Sequence, residues 1–223
     1  MKTLLFTVTW LLSLSIQAQD NTSKSNSSQP LRASGQIVQE TKQVAPFTEI
    51  QTEQFPANLT VEVGGHESSV AISLDSNLRP YLRLNQKDGV LILTFADSLG
   101  KPFWTSELGK PFWNSISSIR VTIRTPRLIG FRHGSNSDVL INGLSGEWFD
   151  LANNANGTVT LRGKVTTFNV VSAANGDVRA DDLITQTANV MLTANANLRI
   201  NAQAVNAVNS GQGQVINVAK RVK

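Results

Sequence analysis

The candidates for acid–base or metal chemistry in this chain are two histidines, His66 and His133, and five aspartates in the C-terminal half, Asp138, Asp150, Asp177, Asp181 and Asp182. Hydrolysis of a glycosidic bond needs two carboxyls about 5–10 Å apart across the bond. Asp138 and Asp177 hold equivalent places in a sequence repeat, but Thr158 and Asn197 hold that place in the copies between and after them. In stacked strands the two acids would sit roughly 10 Å apart along the stack. Asp181 and Asp182 are neighbours, so in a strand they face opposite ways. Acids exposed to water at turns are the competing reading of all five. His66 follows the Gly64-Gly65 turn and His133 precedes the first repeat, and neither stands in a His-x-x-x-His or Glu-x-x-His context. No Gly-x-Ser-x-Gly elbow or phosphate-binding loop is present. The chain has no cysteine, which excludes disulfides, Cys-ligated zinc, iron–sulfur clusters and a lipoprotein anchor. The sequence therefore predicts no catalytic residue, no metal and no cofactor.

A doublet suits binding better than catalysis. Gly100-Lys101-Pro102-Phe103-Trp104 recurs nine residues later as Gly109-Lys110-Pro111-Phe112-Trp113, and together they hold two of the four tryptophans. A hairpin would set the copies side by side. Phe103, Trp104, Phe112 and Trp113 beside Lys101 and Lys110 suit stacking on sugar rings or docking on a partner. The usual burial of large aromatics favours the other reading, in which they fold back and seal an open end of the sheet.

The elements that must carry these residues come after a targeting signal. Lys2, the apolar run Leu4–Leu14 and a cleavage site after Ala18 have the layout of a secretory signal peptide, residues 1–18. The run is too short to span a bilayer, which takes about 20 residues. Residues 19–34 are rich in Ser and Asn and read as a flexible leader. No later segment is apolar enough to cross a membrane as a helix, so the expected location is the periplasm, the cell surface or the medium. Of 223 residues, 40% are hydrophobic and 16% charged, and the net charge of +4 has its one cluster at Lys220-Arg221-Val222-Lys223. Nucleic-acid binding needs a concentrated basic face, and none is present.

From residue 35 to about 130 the pattern alternates, as half-buried strands require. Leu59, Val61 and Val63 alternate with Thr60 and Glu62, and Val70, Ile72 and Leu74 repeat this. Asp88-Gly89 is a hairpin signal before Leu91, Leu93 and Phe95, and Ile119, Val121 and Ile123 form a strand stopped by Pro126. This part reads as a meandering sheet.

Residues 131–223 repeat. Val139, Val159, Val178, Leu198 and Val215 form one column, spaced 20, 19, 20 and 17 residues apart. Three residues before each stand Asn136, Asn156, Asn175, Asn195 and Gln212. Two before stand Ser137, Gly157, Gly176, Ala196 and Gly213. Two after stand Ile141, Leu161, Ala180, Ile200 and the discordant Asn217. A second strand per copy shows in Trp148–Leu151, Phe168–Val171 and Val190–Leu192. The pattern predicts a short parallel β-helix of about five coils. The aliphatic column should point inward and the small column should suit a tight corner. Stacked amides should hydrogen-bond along the axis, a structural role. The last coil presents an edge open to self-association, which the basic tail would blunt.

Three stretches carry a resemblance to a known family: Gly35–Thr41 running on to Phe47–Ile50; Leu59–Gly65 with Val70–Ile72 and Asn77–Leu82; and Asp138–Leu144 with Asn175–Val178. They resemble the head GIN domain of bacterial adhesins, a family also called a domain of unknown function, over about Gly35 to Val218. The family's Gly-Ser-Gly-Asp/Asn corners appear here as Gly134-Ser-Asn-Ser, Asn154-Ala-Asn-Gly and Asn195-Ala-Asn. The resemblance implies an all-β chain with a right-handed, pectin-lyase-like β-helix after a β-rich N-terminal part. It also implies an envelope location, an adhesive role and no established catalytic residues. At this length no translocator barrel is expected within the chain. The functional expectation is a non-catalytic adhesion or scaffolding protein that binds a glycan or an envelope protein. The alternative is a polysaccharide lyase or hydrolase, which would need close carboxylates or a Ca²⁺ site beside basic residues.

Overall fold

The computed structural model describes residues 33–96 and 119–219. These are all-β apart from one 3₁₀ segment, Ser76–Tyr81. The strands are β1 (Ile37–Gln43), β2 (Glu49–Glu53), β3 (Asn58–Val63), β4 (Ser69–Asp75), β5 (Leu82–Lys87), β6 (Val90–Phe95), β7 (Arg120–Thr125), β8 (Gly130–Gly134), β9 (Val139–Asn153), β10 (Val159–Ser172), β11 (Val178–Leu192), β12 (Leu198–Asn209) and β13 (Val215–Asn217). Among the described residues no helix is long and apolar enough to cross a membrane.

The repeat folds as stacked rungs. β9 to β13 pair in sequence, all parallel, and the register aligns Val139, Val159, Val178, Leu198 and Val215. The first four are buried, as are Ile141, Leu161, Ala180 and Ile200 beside them. β9 and β10 each join the two strands visible in the sequence across a bulge, where Gly143 and Gly163 take φ of 79° and 139°. A Cβ on Gly163 would fall 2.1 Å from the Leu144 carbonyl oxygen, so only glycine fits. Beyond the bulge two more inward columns stack, Phe149, Phe168 and Ala188 with the half-buried Val205, then Leu151, Val170 and Val190, while the next position in that column, Ala207, is exposed. The rings of Phe149 and Phe168 stack with centroids 6.3 Å apart.

Two expectations need correcting in their reasons. The small column is buried at its corner, but none of its glycines has a left-handed backbone. A Cβ on Gly157 would instead lie 1.9 Å from the Ser137 oxygen, and one on Gly213 would lie 1.8 Å from the Ala196 oxygen. Close approach between neighbouring rungs selects small residues there. The Asn column does not form an amide–amide ladder. Asn136 Oδ1 accepts from the Asn156 backbone N–H (3.1 Å), and Asn156 Oδ1 from that of Asn175 (3.2 Å). Asn217, which breaks the aliphatic pattern, caps the stack by bonding both the N–H and the carbonyl of Ala202.

The first half departs from a plain meander. Antiparallel pairing joins β5 to β6 and β4 to β1 and β7. However, β3 lies parallel to both β7 and β9, and β2 parallel to both β6 and β8. β8 in turn pairs with the second half of β9. Period-two patterning marks a half-buried strand but names neither its partner nor its direction. Leu59 and Val61 thereby extend the inward columns of Val139 and Ile141, and one continuous core runs from Phe47 to Ala202.

Candidate functional site: the outward face of the rungs

Side chains alternate across a strand, so positions between the inward columns face solvent. On β9 to β12 they form three outward files two residues apart. The first holds Trp148, Thr167, Thr187 and Ala204; the second Asp150, Asn169, Asn189 and Asn206; the third Ala152, Val171, Met191 and Val208. The middle file is the true amide ladder. Asn169 Nδ2 donates to Asp150 Oδ1 (2.7 Å), Asn189 Nδ2 to Asn169 Oδ1 (2.8 Å) and Asn206 Nδ2 to Asn189 Oδ1 (2.9 Å). Each amide keeps a second N–H for a ligand. Beside the ladder Trp148, Val171, Met191 and Val208 expose 37%, 43%, 48% and 65% of their surface, high values for such large apolar side chains.

Within these three files charge enters only where the first half meets them. Asp150 starts the ladder, and the Arg127 guanidinium lies 5.8 Å from the Trp148 ring centre. The next two rungs below Asp150 are Gly130 and Glu49. Gly130 has no side chain, and Glu49 folds over it while pairing with Arg132 at 3.0 Å. A concavity of about 330 Å³ opens here, lined by Glu49, Gly130, Arg132, Asp150, Asn169 and Val171 among others. A larger one of about 630 Å³ lies between Asp177 and Ile216 and includes the Arg199–Asp181 pair, joined at 2.7 Å.

The five aspartates all have structural work. Asp138 Oδ1 and Asp177 Oδ1 accept the backbone N–H of Thr158 and Asn197, both at 2.9 Å. Asp150 is in the ladder, Asp181 binds Arg199, and Asp182 faces Arg162 at 3.4 Å. Asp138 and Asp177 lie two rungs apart with Thr158 between, as their spacing predicts. His66 is exposed in its turn. His133 is buried, its Nδ1 3.1 Å from Thr52 Oγ1, and desolvation pulls its pKa down to about 4, partly offset by the Ser137 backbone and Asp138. The described residues contain no cluster of three or more acid or histidine side chains able to hold a metal. Lys101, Phe103, Trp104, Lys110, Phe112 and Trp113 lie outside the described residues.

Sequence reasoning missed the outward face, although its signal was present. Once Phe149, Phe168 and Ala188 are aligned, the residue after each is Asp150, Asn169 and Asn189.

The fold has a known counterpart. A crystal structure described as a putative adhesin from Bacteroides fragilis NCTC 9343 is similar, with a TM-score of 0.59 and 14% identity, covering 84% of this chain and 100% of that one. A putative lipid binding protein from Parabacteroides distasonis ATCC 8503 is 12% identical and covers 85% and 100% of the two chains, with a TM-score of 0.44. No curated protein matches the chain. The profile of one family, "Putative auto-transporter adhesin, head GIN domain", matches residues 46–220. The chain belongs to this head GIN-domain family.

Proposed function

We propose that the chain is an exported, non-catalytic envelope protein that adheres to a neutral glycan through the outward face of β9 to β12. The observation that carries this reading is the uncharged array of Asn169, Asn189 and Asn206 between exposed Trp148, Val171 and Met191. Amide N–H groups and threonine hydroxyls suit sugar hydroxyls, and apolar and aromatic surface suits the C–H faces of sugar rings. The parallel rungs read as a right-handed β-helix, which offers such a face at strand spacing. The segment 1–18 reads as the export signal. The Gly100–Trp104 and Gly109–Trp113 doublet is a second proposed contact, through Trp104 and Trp113.

The test is a polysaccharide screen that records both binding and cleavage. Binding without turnover, weakened about tenfold or more by Trp148→Ala or Asn189→Ala, is the expected result. Turnover would overturn the non-catalytic reading. Binding that survives both substitutions but falls with Trp104→Ala and Trp113→Ala would move the site to the doublet.

A further inference from the structure

One inward column breaks the rule that the interior is apolar. Its successive rungs are Leu93, Thr52, His133, Asn153, Ser172 and Leu192. The column two residues earlier holds Leu91, Ile50, Phe131, Leu151, Val170 and Val190, apolar throughout. The four polar side chains are each 1% exposed or less, and the two leucines close both ends of the file.

Thr52 Oγ1 lies 3.1 Å from His133 Nδ1 and accepts the Gly134 N–H at 3.4 Å. A hydroxyl can donate as well as accept; with Thr52 donating to Nδ1, the neutral ring carries its own proton on Nε2. Asn153 Nδ2 donates to the Gly176 carbonyl at 3.0 Å. His133 Nε2, Asn153 Oδ1, Ser172 Oγ and, at the adjoining corner, Ser137 Oγ are buried and meet no partner at hydrogen-bond geometry, although the Ser137 backbone also acts on the His133 ring. Native interiors rarely leave so many polar atoms uncompensated in one place. Ser172 is also much smaller than Leu192, which fills the same inward site on the next rung. A water needs about 30 Å³ and two or more polar partners.

We infer that the file Thr52–His133–Asn153–Ser172 is a binding site for ordered internal water. One molecule accepts from His133 Nε2–H and donates to Asn153 Oδ1. A second accepts from Ser172 Oγ–H and donates to the other lone pair of Asn153 Oδ1. The file crosses the seam where β2 and β8 meet the first two long rungs. A one-residue slip of β8 there would turn His133 outward and break the bridged network, so the water site holds the register of the junction.

A crystal structure of the wild-type protein at about 1.5 Å or better tests this. Water density within hydrogen-bond distance, 2.7–3.2 Å, of His133 Nε2 and Ser172 Oγ is the expected result. A dry file, or side chains rotated to pair directly, would overturn the inference. Solution NMR gives a second reading. His133 should be the Nε2–H tautomer with a cross-peak to long-lived water, and an Nδ1–H tautomer would overturn it. Ser172→Val should remove the water at residue 172 and keep the one at His133; retention of both would contradict the assignment.

Discussion

Truncating Phe168 should cost the protein a large part of its stability. The ring is fully buried, stacks on Phe149 at 6.3 Å and has only the methyl of Ala188 on the rung above it. Ala188 is too small to move into the space, so Phe168→Ala leaves a void bounded by two rungs. Such truncations cost about 3–5 kcal/mol, including the roughly 0.5–1.5 kcal/mol special to an aromatic pair. That compares with about 5–15 kcal/mol for a whole domain. A loss of 4 kcal/mol would lower Tm by roughly 8–16 °C for a chain of this size. Val171, three residues on, faces outward and is 43% exposed, and Val171→Ala should change stability by less than about 0.5 kcal/mol. Urea titration followed by far-UV circular dichroism measures both. A Phe168→Ala loss below about 1 kcal/mol, or equal losses from both variants, would refute the inward–outward assignment of β10.

Gly163→Ala should destabilise more than Gly146→Ala. Both have φ near +140°, at 139° and 136°, but only Gly163 also faces a backbone oxygen within 2.1 Å of the added Cβ. Gly146→Ala then carries backbone strain alone, about 1–3 kcal/mol, and equal midpoints in urea would contradict the close approach at the bulge. His133 makes stability depend on pH. Its pKa falls from 6.5 in the unfolded chain to about 4 in the fold, so the unfolded state binds more protons between these values. Stability is therefore complete above pH 6.5 and declines as pH drops toward 4, by about 3 kcal/mol in all. His133→Gln should flatten this part of the pH profile, and an unchanged slope would show that other groups produce it. Asn169→Ala removes ladder bonds to Asp150 and Asn189 and should cost about 1 kcal/mol or less; a larger loss in urea titration would mean the ladder supports the fold. Gln203–Asn209 of β12 carries no charge and, among the described residues, pairs on one side alone. Val208→Lys should reduce any concentration-dependent association seen by light scattering, as charge does at open edges.

The repeat was legible because stacking imposes one residue class on every copy of an inward position. Val139, Val159, Val178 and Leu198 announce themselves by recurring every 19 or 20 residues, and the break at Asn217 marks the cap. Partner choice in the first half was not legible. The alternation of Leu59 and Val61 is the same whether β3 lies against β4 or between β7 and β9. The small column was visible but its cause was not, because the approach of Gly157 to the Ser137 oxygen exists only after the rungs stack. The Asn136 column drew attention as a ladder, while the amide ladder runs through Asn169 and Asn189, a column hidden by the tryptophan and aspartate that begin its neighbours and itself. His133 alternates with Phe131 and Ser135, which hints at burial, yet a lone histidine gives no sign of a polar file of four.

The in-register parallel stack is tested most directly by a paired-cysteine experiment, which the cysteine-free sequence keeps clean. Thr167 and Thr187 lie side by side on β10 and β11, both half-buried on the outward face. Adjacent strands stand about 4.8 Å apart, within the Cα separation of roughly 4.4–6.8 Å that a disulfide spans. Oxidation of the Thr167→Cys/Thr187→Cys protein should yield an intramolecular disulfide in near-full amount, while Thr167→Cys/Asn189→Cys, two residues out of register, should keep free thiols. Free thiols in the first protein, or a bridge formed as readily in the second, would contradict the stack on which the fold, the outward face and the buried polar file all depend.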